Sequence, residues 1–170
     1  MKTYIIAEIG INHNGSMQIA KKLIDVAAFA GCDAVKFQKR NPDACVPDHQ
    51  KNQPKKTPWG EMTYLEYKYR MEFDKDQYDD IDMYCKGKDI AWSASPWDLD
   101  SLNFLNQYDI PFIKIPSAML TNYPLLKASA ATGKKIILST GMSTIEEIDQ
   151  AIFLLKQHSK DYTVLHCNSS

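Results

Sequence analysis

Two lysines stand where a soluble protein seldom places one. In the run Ala34–Gln38, Val35 and Phe37 alternate with Lys36 and Gln38, and in Phe112–Ile115 the lysine Lys114 lies between Ile113 and Ile115. Residues two apart on a strand share a face. The apolar partners therefore suit a helix-covered outer face, and the polar residues point inward. The same alternation in the other β-rich runs adds Glu8, Ser93, Ser95, Ser139 and His166 to an inward polar set at strand ends, where parallel α/β folds bind their ligands. A buried ammonium without a counter-charge is costly. Two inward lysines thus imply an anion, either a protein carboxylate or a bound substrate. Glu8 is placed to neutralise one of them; a phosphorylated or carboxylated substrate would serve both. His166 taken alone has two readings, a satisfied core histidine and a catalyst.

The turns after the strands carry related chemistry. Ser139-Thr140-Gly141 and Ser169-Ser170 follow strands directly. Hydroxyls and backbone N–H groups at such places suit phosphate oxygens, and equally suit helix caps. No GxGxxG, Walker loop, HExxH or GxSxG occurs, which argues against dinucleotide, nucleoside triphosphate and serine-hydrolase chemistry.

These residues need elements to hold them. Short β-rich runs recur at Tyr4–Ile9, Ala34–Gln38, Ile90–Ala94, Phe112–Ile115, Lys135–Ser139 and Tyr162–His166. Helical patterns lie between. The first runs from an N-cap near Ser16 to Gly31, with Ile19, Leu23, Val26, Ala27 and Ala30 as its apolar stripe. A second spans about Lys75 to Lys88 on Tyr78, Ile81, Asp82 and Cys85. A third follows Asp98 on Leu99, Leu102 and Leu105, and a fourth covers Tyr123–Thr132. The fifth opens with the capping-box pattern Ser143-Thr144-Ile145-Glu146 and turns Ile145, Ile148, Ile152 and Leu155 to the core. Strand and helix in regular alternation predict an α/β domain with a parallel sheet. One connection is longer. The Pro- and Lys-rich stretch Lys39–Pro58 reads as a solvated loop, or in functional terms as a lid. Trp59–Phe73 reads as a short helix whose aromatics pack.

Composition bounds the class. The chain has 170 residues, 44% of them hydrophobic and 24% charged, with a formal net charge of -1. It can bury a core, and it has no electrostatic footprint for nucleic acid or an anionic membrane. No apolar run approaches the roughly 20 residues of a membrane span. The N-terminal apolar run is interrupted by Glu8 and reads as a first strand, not a signal peptide. Cys32, Cys45, Cys85 and Cys167 show neither a CxxC pair nor zinc spacing, so reduced thiols in the cytoplasm are expected.

Ala7-Glu8-Ile9-Gly10-Ile11-Asn12-His13-Asn14-Gly15, followed by Lys36-Phe37-Gln38, resembles the sialic acid synthase family. Lys114-Ile115-Pro116-Ser117, Leu138-Ser139-Thr140-Gly141-Met142-Ser143 and Leu165-His166-Cys167 continue the resemblance in the family's order. It implies a (β/α)8 TIM barrel that condenses phosphoenolpyruvate with an open-chain N-acylated amino sugar to a nonulosonic acid, with release of phosphate. It implies a divalent metal ion, Mn²⁺ or Mg²⁺, and a homodimer for the full-length protein. On this resemblance Lys114 and Ser117 hold the phosphoenolpyruvate anion and Ser169 falls near another phosphate-contacting position; Ser95 and Ser139, inward by the strand alternation, are expected as further substrate contacts. Lys36 and Gln38 sit at the reacting centre and the sugar. Glu8 is an acid/base group or a sugar-hydroxyl partner.

A TIM barrel takes about 250 residues. Six strands therefore lead us to expect an incomplete barrel, about six of eight parallel strands, forming the N-terminal part of the synthase domain and inactive by itself. The resemblance implies that the family's two metal-binding histidines belong to strands beyond Ser170, so no metal ligand is expected in these 170 residues, nor is the antifreeze-like domain of many relatives expected among them. Where the family commonly has Gly-Glu after Ser117, this chain has Ala118-Met119, one carboxylate fewer. Two alternatives belong to other classes: a Schiff-base aldolase with Lys114 as nucleophile, and a non-catalytic barrel fragment serving as a binding module.

Overall fold

The computed structural model describes residues 3–159 and 161–168. The chain divides into two compact units, Met1–Trp92 and Ser93–Ser170. Every strand expected from the sequence is present, most of them shifted at an end by one or two residues.

In the first unit, β1 (Ile6–Gly10) leads into α1 (Met17–Phe29) and returns as β2 (Ala34–Lys39). The two strands are parallel, with Ile6 opposite Ala34 and Glu8 opposite Lys36. α1 is capped by Ser16, whose side chain accepts from the Ile19 N–H. Its buried face is Ala20, Ile24 and Ala27, while Val26 and Phe29 are exposed. The expected stripe therefore shares only Ala27 with the real one. Reading for large apolar side chains favoured Val26, but this helix, which packs on β1 and β2, buries Ala20 and Ala27 beside Ile24, and the small size of the two alanines permits close approach.

The stretch expected to be a solvated loop is instead built. It holds α2 (Pro42–Cys45), α3 (Asp48–Lys51) and β3 (Pro54–Thr57), which pairs antiparallel with β4 (Gly60–Thr63) at the start of the stretch expected to be a short helix. Each element is only four residues long, too short to show periodicity. α4 (Tyr64–Met71) and α5 (Lys75–Gly87) follow, each opened by a complete capping box, Thr63 with Glu66 and Asp74 with Gln77. The aromatics of this region do pack, as Lys55 lies over the Tyr64 and Tyr67 rings and Arg70 over Trp59. α5 buries Tyr78, Ile81 and Cys85, as its spacing predicts. β5 (Ala91–Pro96) begins in this unit, where the Ala91 N–H donates to the Asp33 carbonyl.

In the second unit, the remainder of β5 leads to α6 (Leu99–Leu105), β6 (Phe112–Ile115), a 3₁₀ turn at Ser117–Met119, α7 (Tyr123–Ala131), β7 (Lys135–Ser139), α8 (Ile145–His158) and β8 (Tyr162–Leu165). β6, β7 and β8 form a parallel sheet in that order. α6 buries Leu102 and Leu105 and leaves Leu99 half exposed. The capping box of α8 uses Thr144 and Glu147, one residue later than expected. Its buried residues are Ala151 and Leu155, and Ile145 in the first turn is exposed.

Candidate active site

The first unit carries a compact polar group at the C-terminal ends of β1 and β2. Glu8 and Lys36 stand opposite each other in the register, so their side chains share a face. They form an ion pair of 2.6 Å in which the Lys36 side chain is 3% exposed and that of Glu8 54%. The carboxylate option for one inward lysine is therefore realised. The pairing is one-sided: the ammonium is removed from water and the carboxylate is not. Gln38, two residues on, shares this face. Its backbone carbonyl accepts from the Tyr78 hydroxyl at 2.9 Å, and its side-chain amide oxygen accepts from the Arg40 guanidinium.

The loop from β1 to α1 borders this group and contains the one histidine of the opening motif. His13 is buried, stacks on Phe73 with ring centroids 4.0 Å apart, and accepts at Nδ1 from the Gly15 N–H at 3.1 Å. Burial pushes it down to about 4, against a weaker raising effect of a hydrogen bond to the Gly10 backbone. His13 is thus neutral and pins the loop. Sequence reading did not single it out, because a histidine inside a Gly- and Asn-rich turn carries no periodic signal. The sign of its pH dependence follows. Above pH 6.5 it is neutral folded and unfolded, and its stabilising effect is complete. As the pH falls from 6.5 to 4 only the unfolded chain takes up the proton, and roughly 3 kcal/mol is lost. Denaturant unfolding from pH 7 to 4 should show a steeper loss for the wild type than for His13→Gln by about that amount; equal slopes would contradict the buried neutral imidazole.

The second unit carries the other group. Lys114 is buried in β6 and pairs in register with Ile137, two residues before Ser139. Lys114 and Ser139 therefore lie on one face of the sheet, and Ser139 is buried. The Ser93 hydroxyl donates to the Phe112 carbonyl at 2.5 Å, which ties β5 to β6 two residues before Ser95 and Lys114 respectively. The Ser95 hydroxyl is fully buried and has no hydrogen-bond partner among the described residues. A buried hydroxyl left so costs about 1–3 kcal/mol, and such a group calls for a ligand or a water molecule. Ser117 is half-buried and accepts from the Gly141 N–H at 3.0 Å. Thr140 is taken up by the Leu165 carbonyl at 2.8 Å. Met119 follows in the 3₁₀ turn, where its sulfur accepts a weak contact from Asn122 at 3.9 Å.

Two expectations need correction or placement. β8 ends at Leu165, which pairs with Ser139 and so shares the face assigned to His166. His166 lies past the strand and is exposed; the alternation was counted one residue out of phase because strand ends are not marked in the sequence. Ser169 lies outside the described residues.

Among the described residues no three of the histidine, cysteine, aspartate and glutamate side chains gather into a group able to hold a metal ion. His13 cannot turn a lone pair outward, since Nδ1 already accepts from Gly15. The residues described thus do not fit a divalent metal site. Burial pushes the Cys85 thiol up to about 12, so it is no nucleophile. No helix of the described residues is long and apolar enough to cross a membrane.

Comparison with known proteins supplies the remaining observations. The model of the NeuB family matches residues 23–170. The chain is 39% identical to an N,N'-diacetyllegionaminic acid synthase of Campylobacter jejuni, over 99% of its own length and 52% of the relative's. It is 40% identical to an N-acetylneuraminate-9-phosphate synthase of Drosophila melanogaster, over 98% of its length and 45% of the relative's. Among solved structures it is similar to an N-acetylneuraminic acid synthetase from Leptospira borgpetersenii, with a TM-score of 0.88, 30% identity, and coverage of 100% of this chain and 55% of that one. The chain spans about half the length of the curated relatives it matches.

Proposed function

Since this chain belongs to the NeuB family, we propose that it forms the N-terminal part, about six of eight βα units, of a barrel synthase that condenses phosphoenolpyruvate with an open-chain N-acylated amino sugar. C3 of phosphoenolpyruvate bonds to the sugar's aldehyde carbon, whose oxygen takes up a proton. A water adds at C2, and phosphate leaves with cleavage of its C–O bond. The product is a nonulosonic acid. The observation that carries this reading is the buried Lys114 on the sheet face it shares with Ser139, together with a buried Ser95 hydroxyl that has no hydrogen-bond partner among the described residues. A buried ammonium and buried hydroxyls suit a phosphate or carboxylate oxygen.

Lys114, Ser95, Ser117 and Ser139 hold the phosphoenolpyruvate anion, joined by Ser169. Lys36 and Gln38 serve the reacting centre, with Glu8 as an acid/base group or sugar-hydroxyl partner. Ligands for the Mn²⁺ or Mg²⁺ ion of the family do not gather among the described residues, and no step above runs through it. The free cysteines agree with a reducing compartment, and the parent protein is read as a cytoplasmic homodimer.

The test is phosphate release by the full protein that carries this sequence, given phosphoenolpyruvate, an N-acylated amino sugar and Mn²⁺. Lys114→Ala should raise KM for phosphoenolpyruvate at least about tenfold, the worth of one charge-assisted hydrogen bond. Absence of phosphate release with every such sugar overturns the proposal. Labelling of Lys114 by borohydride in the presence of a keto acid would replace it with Schiff-base chemistry.

A further inference from the structure

The Gln38 amide is held from one side only, by a charged pair that no part of the proposed reaction uses. Arg40 and Glu72 are both buried, with side-chain exposures of 9% and 7%. The Arg40 backbone N–H donates to Glu72 Oε2 at 3.1 Å, and Arg40 Nη1 lies 3.8 Å from Glu72 Oε1. Arg40 Nη2 donates to Gln38 Oε1. A guanidinium has donors and no acceptor, so only the amide oxygen can face it. The amide NH₂ must then point elsewhere. It lies beside Gly10, with Nε2 3.6 Å from where a Cβ on that glycine would stand, at the end of β1 two residues past Glu8. Among the described residues no protein acceptor takes up its protons.

The residue type sharpens this. A carboxylate at position 38 would pair with Arg40 more strongly than an amide does, but it would offer no donor on its far side. An amide held by its oxygen is the arrangement that presents N–H groups.

We propose that Arg40, braced by Glu72, is a positioning residue that fixes the Gln38 amide so that its NH₂ donates to an acceptor oxygen of the sugar substrate. A hydroxyl or the N-acyl carbonyl has that chemistry. The proposal rests on the synthase reading only for the identity of the substrate.

Two measurements on the full protein test it. The double variant Arg40→Met/Glu72→Leu removes both buried charges, so neither is left stranded. It should raise KM for the amino sugar about tenfold and leave KM for phosphoenolpyruvate unchanged. Arg40→Lys, which keeps a donor, should recover most of that loss. Gln38→Glu should reproduce it. Nitrogen-15 relaxation of the Gln38 side-chain amide gives a readout that does not depend on turnover. Its order parameter should be high in the wild type, fall in the double variant and return in Arg40→Lys. An unchanged order parameter in the double variant, or equal rises in KM for both substrates, overturns the proposal. If the wild type turns over no such sugar, the synthase reading fails, and the order parameters by themselves decide whether Arg40 positions Gln38.

Discussion

Lys36→Met should abolish phosphoenolpyruvate-dependent phosphate release, by at least about a thousandfold, and leave the fold as stable as before. The two halves of this result have different physical origins. Activity falls because the ammonium is the cation paired with Glu8 on the face it shares with Gln38, and methionine has no charge to offer a developing oxyanion. Stability holds because the ion pair is one-sided. Lys36 is removed from water while Glu8 keeps half of its exposure. A methionine of similar volume fills the buried position without a desolvated charge, and the abandoned carboxylate is hydrated where it stands. Replacing a buried charge by a well-packed apolar group is often neutral or stabilising. The reverse substitution behaves differently: Glu8→Gln strands the buried ammonium and should cost about 3 kcal/mol. Urea unfolding alongside a phosphate assay separates the cases. A Lys36→Met protein that unfolds more easily by several kcal/mol would make this lysine a structural element, and one that keeps its activity would remove it from the site.

Gly15→Ala should destabilise the protein by roughly 4 kcal/mol or more, at the far end of what one methyl group does. Gly15 has φ +71, a left-handed conformation that strains any residue with a Cβ. The larger part comes from packing. A Cβ on Gly15 would overlap the Arg70 carbonyl oxygen and stand 3.3 Å from the carbonyl carbon. Backbone of α4 cannot swing aside as a side chain does. The Gly15 N–H is also the donor that holds His13 Nδ1, so displacing the loop releases the stacked imidazole. Thermal unfolding of the variant against the wild type measures the loss. Gly31→Ala is the control: Gly31 has a similar φ of +77 but nothing within 4 Å of the added methyl, so it should cost only about 1–2 kcal/mol of backbone strain. Equal losses at the two glycines would show that the close approach to Arg70 contributes nothing.

The candidate site was legible from the sequence where its signal is local. Alternation along a strand is a property of neighbouring residues, and it assigned Lys36, Gln38, Lys114 and Ser139 their faces before any partner was known. Turn chemistry is also local, and Ser16, Asp98 and Thr144 act as caps at or within one residue of the helix starts that the sequence marks. Signals that need a length of chain to show themselves were lost when the elements were short. The stretch Lys39–Pro58 reads as loop because four-residue helices and strands have no period to detect. Helix faces were misjudged at Val26 and Ile145 because hydrophobicity says that a side chain prefers burial, and only the neighbouring elements say whether a surface is there to cover it.

By itself, then, the sequence determined the α/β alternation, the order of the strands and which residue types stand at their ends, all consequences of spacing and side-chain chemistry. Tertiary structure decided who meets whom. Register placed Glu8 against Lys36, 28 residues apart in the chain; folding brought Glu72 behind Arg40 and the Arg70 carbonyl against Gly15. Those pairings depend on which distant segments pack together, because a hydrogen bond or an ion pair acts over a few ångströms and carries no mark in the sequence of the partner it will find.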